Sequence, residues 1–377
     1  MTFMSSPKSD FTLILGVRKR SREDNIQMSK EKTKKLHKDV APFAKSDKKK
    51  SIIQLINTIP PLFIFWFLAY QSLSVSIWLM LPFAIIAAGF VIRTFIIFHD
   101  CTHGSFFKDR KANDVVGTIT GVLTLFAYSK WKREHAIHHA SSSNLDKRGV
   151  GDIWVMTIEE YVEASKWQRF AYRFYRNPIV LFVIGPIYLV LISSRFNRKD
   201  ARQKERNNTY LINVILVVLY TAMILLIGWQ SFVIVQGTIM FVAGALGIWL
   251  FYIQHTFEDS YFEEESEWDY VKAAIEGSSY YKLPKVLQWA TGNIGFHHVH
   301  HLSPRVPNYN LEEAHDSTPP LHTATTITIK ESLASLKYKL YNPEKKAFVT
   351  FGEVKPLLRK PRPSIELKPK QTSFNNK

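Results

Sequence analysis

Residues 77–103 read IWLMLPFAIIAAGFVIRTFIIFHDCTH. From Ile77 to Phe98 only Arg93 is charged, which matches the ~20 apolar residues that cross ~30 Å of hydrocarbon at ~1.5 Å per residue. Ile52 to Leu73 precedes it across an uncharged turn around Ser74–Ser76, and a second pair, Tyr210 to Gly228 and Phe232 to Gln254, is joined around Trp229–Ser231. Four such runs in two tight hairpins read as membrane helices and not as the buried helices of a large soluble protein. The fold class expected is therefore an all-α integral membrane protein. It has four transmembrane helices in two hairpins, further re-entrant or interfacial helices, and a cytoplasmic cap carrying three histidine clusters.

Charge sets the expected orientation. Met28–Lys50 carries nine lysines against three acids, Arg195–Asn208 six basic residues against two acids, and Tyr341–Lys377 nine against three, whereas both hairpin tips are uncharged. The positive-inside rule places both termini and the middle segment in the cytoplasm of a multi-pass plasma-membrane protein. Arg93 lies six residues before His99, about 9 Å of helix, so snorkelling to the interface accounts for it. Val115–Tyr128 is short, and Ile179–Ser194 is broken at Gly185–Pro186 with basic residues at both ends. Both read as re-entrant or interfacial segments. The expected organisation is a basic tail over 1–50, a membrane domain over 51–340 and a basic tail over 341–377. The run Phe11–Val17 is too short for a signal peptide, and Met28 is a candidate start.

Composition removes other classes. The 377 residues carry a formal charge of +17, from 49 basic and 32 acidic side chains. Membrane sidedness and attraction to anionic lipid explain that excess, so no nucleic-acid partner is expected. One cysteine, Cys101, excludes a disulfide scaffold, a Cys-ligated zinc finger and an iron–sulfur cluster held by this chain alone.

Histidine is where the chemistry concentrates. His99 and His103 stand at i, i+4 just after the second span; His135, His138 and His139 stand at i, i+3, i+4; His297, His300 and His301 repeat that spacing after the fourth span. Residues three and four apart share a helix face, with Cβ atoms ~5–6 Å apart, so each cluster aims its nitrogens one way. His298 falls about 100° from His297 and is read as a supporting residue. His255, one residue past the fourth span, supplies a ninth nitrogen. Eight or nine imidazoles exceed one metal's needs and fit two metals at four or five nitrogens each. Imidazole suits iron, zinc, copper and nickel alike. Asp100, Asp146, Asp152, Glu258 and Asp259 are candidates to accept the second N–H of a ligating ring. Asn293, four residues before His297, is a candidate to hold a metal-bound water. His37, His315 and His322 lack such context and are read as ordinary residues.

Metals at headgroup depth, beneath an apolar wall, suit a substrate that partitions into lipid. Iron with open positions activates dioxygen toward an unactivated methylene, provided the chain is held in register and water is kept out. Ile179–Ser194 and Gly149–Tyr161 are candidate walls of that slot.

The clusters His-x-x-x-His, His-x-x-His-His and His-x-x-His-His, in this order relative to the two hairpins, resemble the histidine boxes of membrane fatty acid desaturases. The resemblance runs from about Lys30 to Phe351. The phrases IIFHDCTHGSFF, HAIHHASSSNLDKRGVGDIW, YIQHTFEDSYF and TGNIGFHHVHHLSPRVPNY are most similar to bacterial acyl-lipid delta-5 desaturases. It implies two iron ions, dioxygen as co-substrate, and a cis double bond introduced into acyl chains of membrane phospholipid. The eight box histidines would be ligands, with His255 matching an additional histidine of many members. A ferredoxin or flavodoxin would deliver electrons, since no H-P-G-G haem motif occurs. Lys130, Lys132 and Arg133, beside the second box, are expected to help dock that donor.

Two other functions use the same residues. A histidine-box hydroxylase or ketolase acting on an alkane, sterol or carotenoid would hold the same metals and retain oxygen in its product. A metal-ion transporter with His-rich loops would need polar groups at the bilayer midplane. The four spans offer Arg93 and scattered amides such as Asn57 and Asn213, which argues against transport.

Overall fold

A computed structural model describes Glu31 and residues 33–359. Met28, the segment before it and the end of the basic C-terminal stretch lie outside the described residues. Among the described residues four helices are long and apolar enough to cross a membrane: α1 (Lys48–Leu73), α2 (Ile77–His103), α6 (Gln203–Ile227) and α7 (Trp229–His255). Between them lie α3 (Arg110–Thr124), α4 (Tyr128–Ser141) and α5 (Lys166–Tyr175), and α8 (His297–Leu302) follows. Each long helix extends beyond its apolar run. His99 and His103 therefore sit in the last turns of α2, and His255 is the final residue of α7.

Local chemistry starts and stops these helices. Ser76 caps α2 by accepting from the Trp78 amide at 3.1 Å, and Asp109 caps α3 through the amides of Lys111 and Ala112. α2 is the central element: 56% of its apolar window is buried, against 11% for α6. Phe63, Phe67, Val217 and Leu225 stay exposed on α1 and α6, as helices facing lipid require.

Arg93 does not snorkel. Its Nε donates to Thr58 Oγ1 at 3.1 Å, its Nη1 reaches the Trp289 carbonyl, and its guanidinium lies 4.0 Å from the Trp289 ring centroid. A buried guanidinium satisfied by protein oxygens and an aromatic face has no need to reach solvent.

Val115–Tyr128 splits at Leu125, whose φ of 67° closes α3 before α4 begins. The stretch around Ile179–Ser194 bends by 62° against α5; counted as one crossing, the bent pair would make a fifth span.

Of the remaining short elements, residues 285–290 and 308–310 contact α2, and residues 280–282 contact α7. They are not all helical. β1 (Tyr280–Lys282) pairs in parallel with β2 (Thr326–Thr328), and β3 (Leu340–Asn342) pairs antiparallel with β4 (Ala347–Val349). The basic C-terminal stretch is thus anchored at its start. Tyr341 and Phe348 pack with Leu145, Val155 and Phe262 in a separate apolar cluster, so a boundary at residue 340 cuts a strand. Arg176, fully buried at the end of α5, donates to the Tyr338 carbonyl at 3.0 Å and ties that layer to the bundle.

Candidate metal centre

α4 is locked to α2 by one tyrosine. The Tyr128 hydroxyl donates to Asp114 Oδ1 at 2.9 Å and lies 2.8 Å from the Cys101 carbonyl. Gly117 makes room for it: a Cβ there would stand 2.2 Å from the Tyr128 ring. So fixed, α4 turns His135 and His139 toward His99 and His103, and α8 brings its rings from the other side.

The nine imidazoles divide into two sets. One nitrogen from each of His99, His103, His135, His139 and His300 lies within 4.8 Å of the others, and His138, His255 and His301 meet the same limit. His297 joins the second set, its Nε2 at 3.0 Å from His255 Nε2 and 3.1 Å from His301 Nε2.

Hydrogen bonds alone do not account for this arrangement. His135 Nε2 faces the Nε2 atoms of both His99 and His139 at 3.0 Å, and His139 Nε2 also faces His300 Nε2 at 2.9 Å. A neutral imidazole carries one N–H, which can serve one such contact. The Nε2 atoms of His103 and His138 are buried with no partner among the described residues. Burial, reinforced by neighbouring rings, holds the pKa of His135, His139, His297, His300 and His301 well below the usual histidine range. Neutral rings with converging lone pairs are a donor set for cations that favour nitrogen.

The outward nitrogens are held where partners exist. His138 Nδ1 lies 2.5 Å from Asp152 Oδ1, leaving Nε2 free to point inward. Asp152 arrives on the loop after α4, which Arg148 braces by donating to the carbonyls of Leu145 (2.6 Å) and Val155 (2.7 Å). Gly151 has a φ of 74°, and a Cβ there would meet that of His138 at 3.2 Å, so the loop's close approach suits glycine. His99 Nδ1 lies 3.3 Å from Asp100 Oδ1, and His255 Nδ1 3.3 Å from the Gly277 carbonyl.

Other candidate residues stand elsewhere. Asp146 accepts from the Glu265 amide, Glu258 from the Tyr338 hydroxyl, and Asp259 from Thr325 Oγ1. These carboxylates face backbone and hydroxyl donors brought in by segments remote in sequence, and not the rings. Asn293 is not on the His297 face: it precedes α8 in a turn with φ of 57°, and its amide donates to the Asn308 carbonyl. His298 points away and faces His315 Nδ1 at 2.9 Å; burial first, then His315, lowers its pKa to about 3. Lys130 is buried, with Nζ bound to the carbonyls of Ser193 and Phe196, and is lost to any docking role.

Three residues join the site without having been singled out. Asn308 donates from its backbone N (2.7 Å) and Nδ2 (2.8 Å) to Asp100 Oδ2, and Gln54 Nε2 donates to Asn308 Oδ1 at 2.9 Å. Trp131 stacks on His135 with centroids 4.1 Å apart. Trp131 was open to inference, since it lies one turn before His135; the Gln54–Asn308 pairing spans 254 residues and has no local signal.

Comparison with known proteins agrees with this geometry. A family profile described as fatty acid desaturase matches residues 76–327. A fatty acid desaturase of Bacillus subtilis (strain 168) is 59% identical over 324 residues, covering 86% of this chain and 92% of that protein. An sn-1 oleoyl-lipid 12-desaturase of Synechocystis sp. is 28% identical, over 74% of this chain and 80% of that one. An acyl-lipid (9+3)-(E)-desaturase of Dimorphotheca sinuata is 27% identical, over 75% and 82% respectively.

Proposed function

The chain belongs to the fatty acid desaturase family, and we propose that it is a di-iron enzyme introducing a cis double bond, at the delta-5 position, into acyl chains of membrane phospholipid. The observation that carries this is the division of nine imidazoles, buried or half-buried, into sets of five and four nitrogens. Relatives named as acting on lipid-linked acyl chains support the substrate class. Their names include other bond positions, so delta-5 rests on the sequence phrases around the boxes.

In this reading His99, His103, His135, His139 and His300 hold one iron, and His138, His255, His297 and His301 the other. Iron bound there supplies the activation of dioxygen that breaking two unactivated C–H bonds demands. The balanced reaction converts –CH2–CH2–, dioxygen, two electrons and two protons to –CH=CH– and two waters. The protein's own contribution is positional. Asp152 fixes the tautomer of His138, and Asp100, held by Asn308, lies beside His99 Nδ1. Trp131 packs against His135 and fixes the ring plane. The same reading keeps the long helices as two hairpins, treats Ile179–Ser194 as re-entrant, and places boxes and termini on the cytoplasmic side of the plasma membrane. A ferredoxin or flavodoxin supplies the electrons.

Expression in a host lacking desaturases, followed by gas chromatography of lipid acyl chains and metal analysis of the purified protein, tests the proposal. New cis monoenes at the fifth carbon with about two irons per chain are expected. Hydroxylated products, or one zinc in place of iron, would refute it.

A further inference from the structure

Resting on the desaturase reading, the reaction requires two electrons that the substrate does not supply, so a reductant must approach the imidazoles closely. A groove of about 630 Å³ lies between α4 and the start of α6, walled by Lys132, Arg133, Arg202 and Lys204 against Asp114 and Glu205. Its acids are engaged: Asp114 pairs with Lys132 at 3.2 Å and Glu205 with Arg133 at 3.2 Å. Arg133 also pairs with Asp200 at 3.0 Å, which sets its guanidinium in place. Arg202 and Lys204 stand exposed on the α6 side, so the groove presents an excess of positive charge.

Its floor is what gives the groove meaning. Ala136, Ile137 and Ala140 of α4 line it, while His135 and His139 of the same helix belong to the five-nitrogen set. One helix, roughly 10 Å across with its side chains, therefore separates the groove from the proposed first iron. The two alanines, Ala136 and Ala140, let a partner settle close to the α4 backbone beside Ile137. We infer that this groove is the docking site of a small acidic electron-transfer protein, with Arg202 and Lys204 as its free charge contacts. A phospholipid headgroup would meet the same charges. However, its acyl chain would have to pass through α4 to reach the rings, whereas an electron need only cross it.

The test uses iron-loaded full-length enzyme in phosphatidylcholine nanodiscs, and R202E/K204E with R202Q/K204Q as the milder pair. Stopped-flow absorbance follows oxidation of a reduced, acidic [2Fe–2S] ferredoxin. At low salt R202E/K204E should lower the second-order rate by about 10-fold or more, with R202Q/K204Q intermediate. The difference should close near 1 M salt, where the Debye length falls to ~3 Å. Reduced riboflavin, too small to need a docking face, should reduce wild type and variants equally. Unchanged ferredoxin rates, or equal loss with both reductants, would overturn the proposal. So would weakened binding to phosphatidylglycerol nanodiscs with ferredoxin rates intact, which assigns the groove to lipid. A wild-type chain that holds no iron and accepts electrons from neither reductant would remove the desaturase reading as well.

Discussion

Asn308→Ala tests whether the polar chain behind His99 positions that ring or merely fills space. The substitution removes the Nδ2 donor to Asp100 Oδ2 (2.8 Å) but keeps the backbone donor at 2.7 Å. One hydrogen bond to a charged acceptor is worth about 1.5–3 kcal/mol. Gln54 Nε2 simultaneously loses its acceptor (2.9 Å) in a buried site, for about 1–3 kcal/mol more. The expected destabilisation is therefore about 2.5–6 kcal/mol, reduced if a water fills the space. Asp100, less restrained, should hold His99 more loosely, and loss of such an outer partner typically costs ~10–100-fold in metal affinity. The assay is iron per chain across a chelator titration, with thermal unfolding of the iron-free protein measured in parallel. The reasoning predicts both an earlier chelation midpoint and a lower unfolding temperature. If the iron-free protein is destabilised while the chelation midpoint stays at the wild-type value, Asn308 is packing and the positioning argument is wrong.

Asp152→Asn keeps the shape beside His138 but lets an amide N–H face Nδ1, favouring the wrong tautomer. About half of the bound iron should become labile to chelator, with affinity down ~10–100-fold, and uniform loss from both sets would contradict the assignment. Gly117→Ala places a Cβ against the Tyr128 ring. It should cost about 1–3 kcal/mol by overpacking, which thermal unfolding would report; a neutral result would show that α3 shifts freely. Protonation supplies a further test. Burial depresses the pKa of His135, His139, His297, His300 and His301, so the unfolded chain binds more protons than the folded one below about pH 6.5. Iron-free protein should keep its stability near neutrality and lose up to ~1.4 kcal/mol per pH unit per ring as pH falls further. A flat unfolding temperature down to about pH 5 would mean the rings take up protons as readily in the fold as in the unfolded chain.

The membrane helices and the histidine clusters were legible because both depend on spacing within a segment. An apolar run long enough for hydrocarbon, or rings three and four apart on a helix, is complete information at the level of local geometry. Hydropathy marks the length of each span and not the end of its helix. Backbone hydrogen bonding carries α2 through His103 and α7 through His255, past the point where side-chain hydropathy stops. Arg93 reads from sequence as a cation seeking water; the fold gives it Thr58 and Trp289 instead.

Which ring joins which set was a tertiary decision. His138 and His139 are adjacent in sequence, yet the 100° between successive helix positions sends them to different sets once α8 and α7 are in place. The carboxylates divide for the same reason. Asp100 and Asp152 reach rings, while Asp146, Glu258 and Asp259 find nearer donors. Sequence by itself determined which side chains carry lone pairs and at what helical phase they project. The tertiary structure alone decided their partners, because a hydrogen bond or a shared cation depends on distances between segments that the order of residues does not contain.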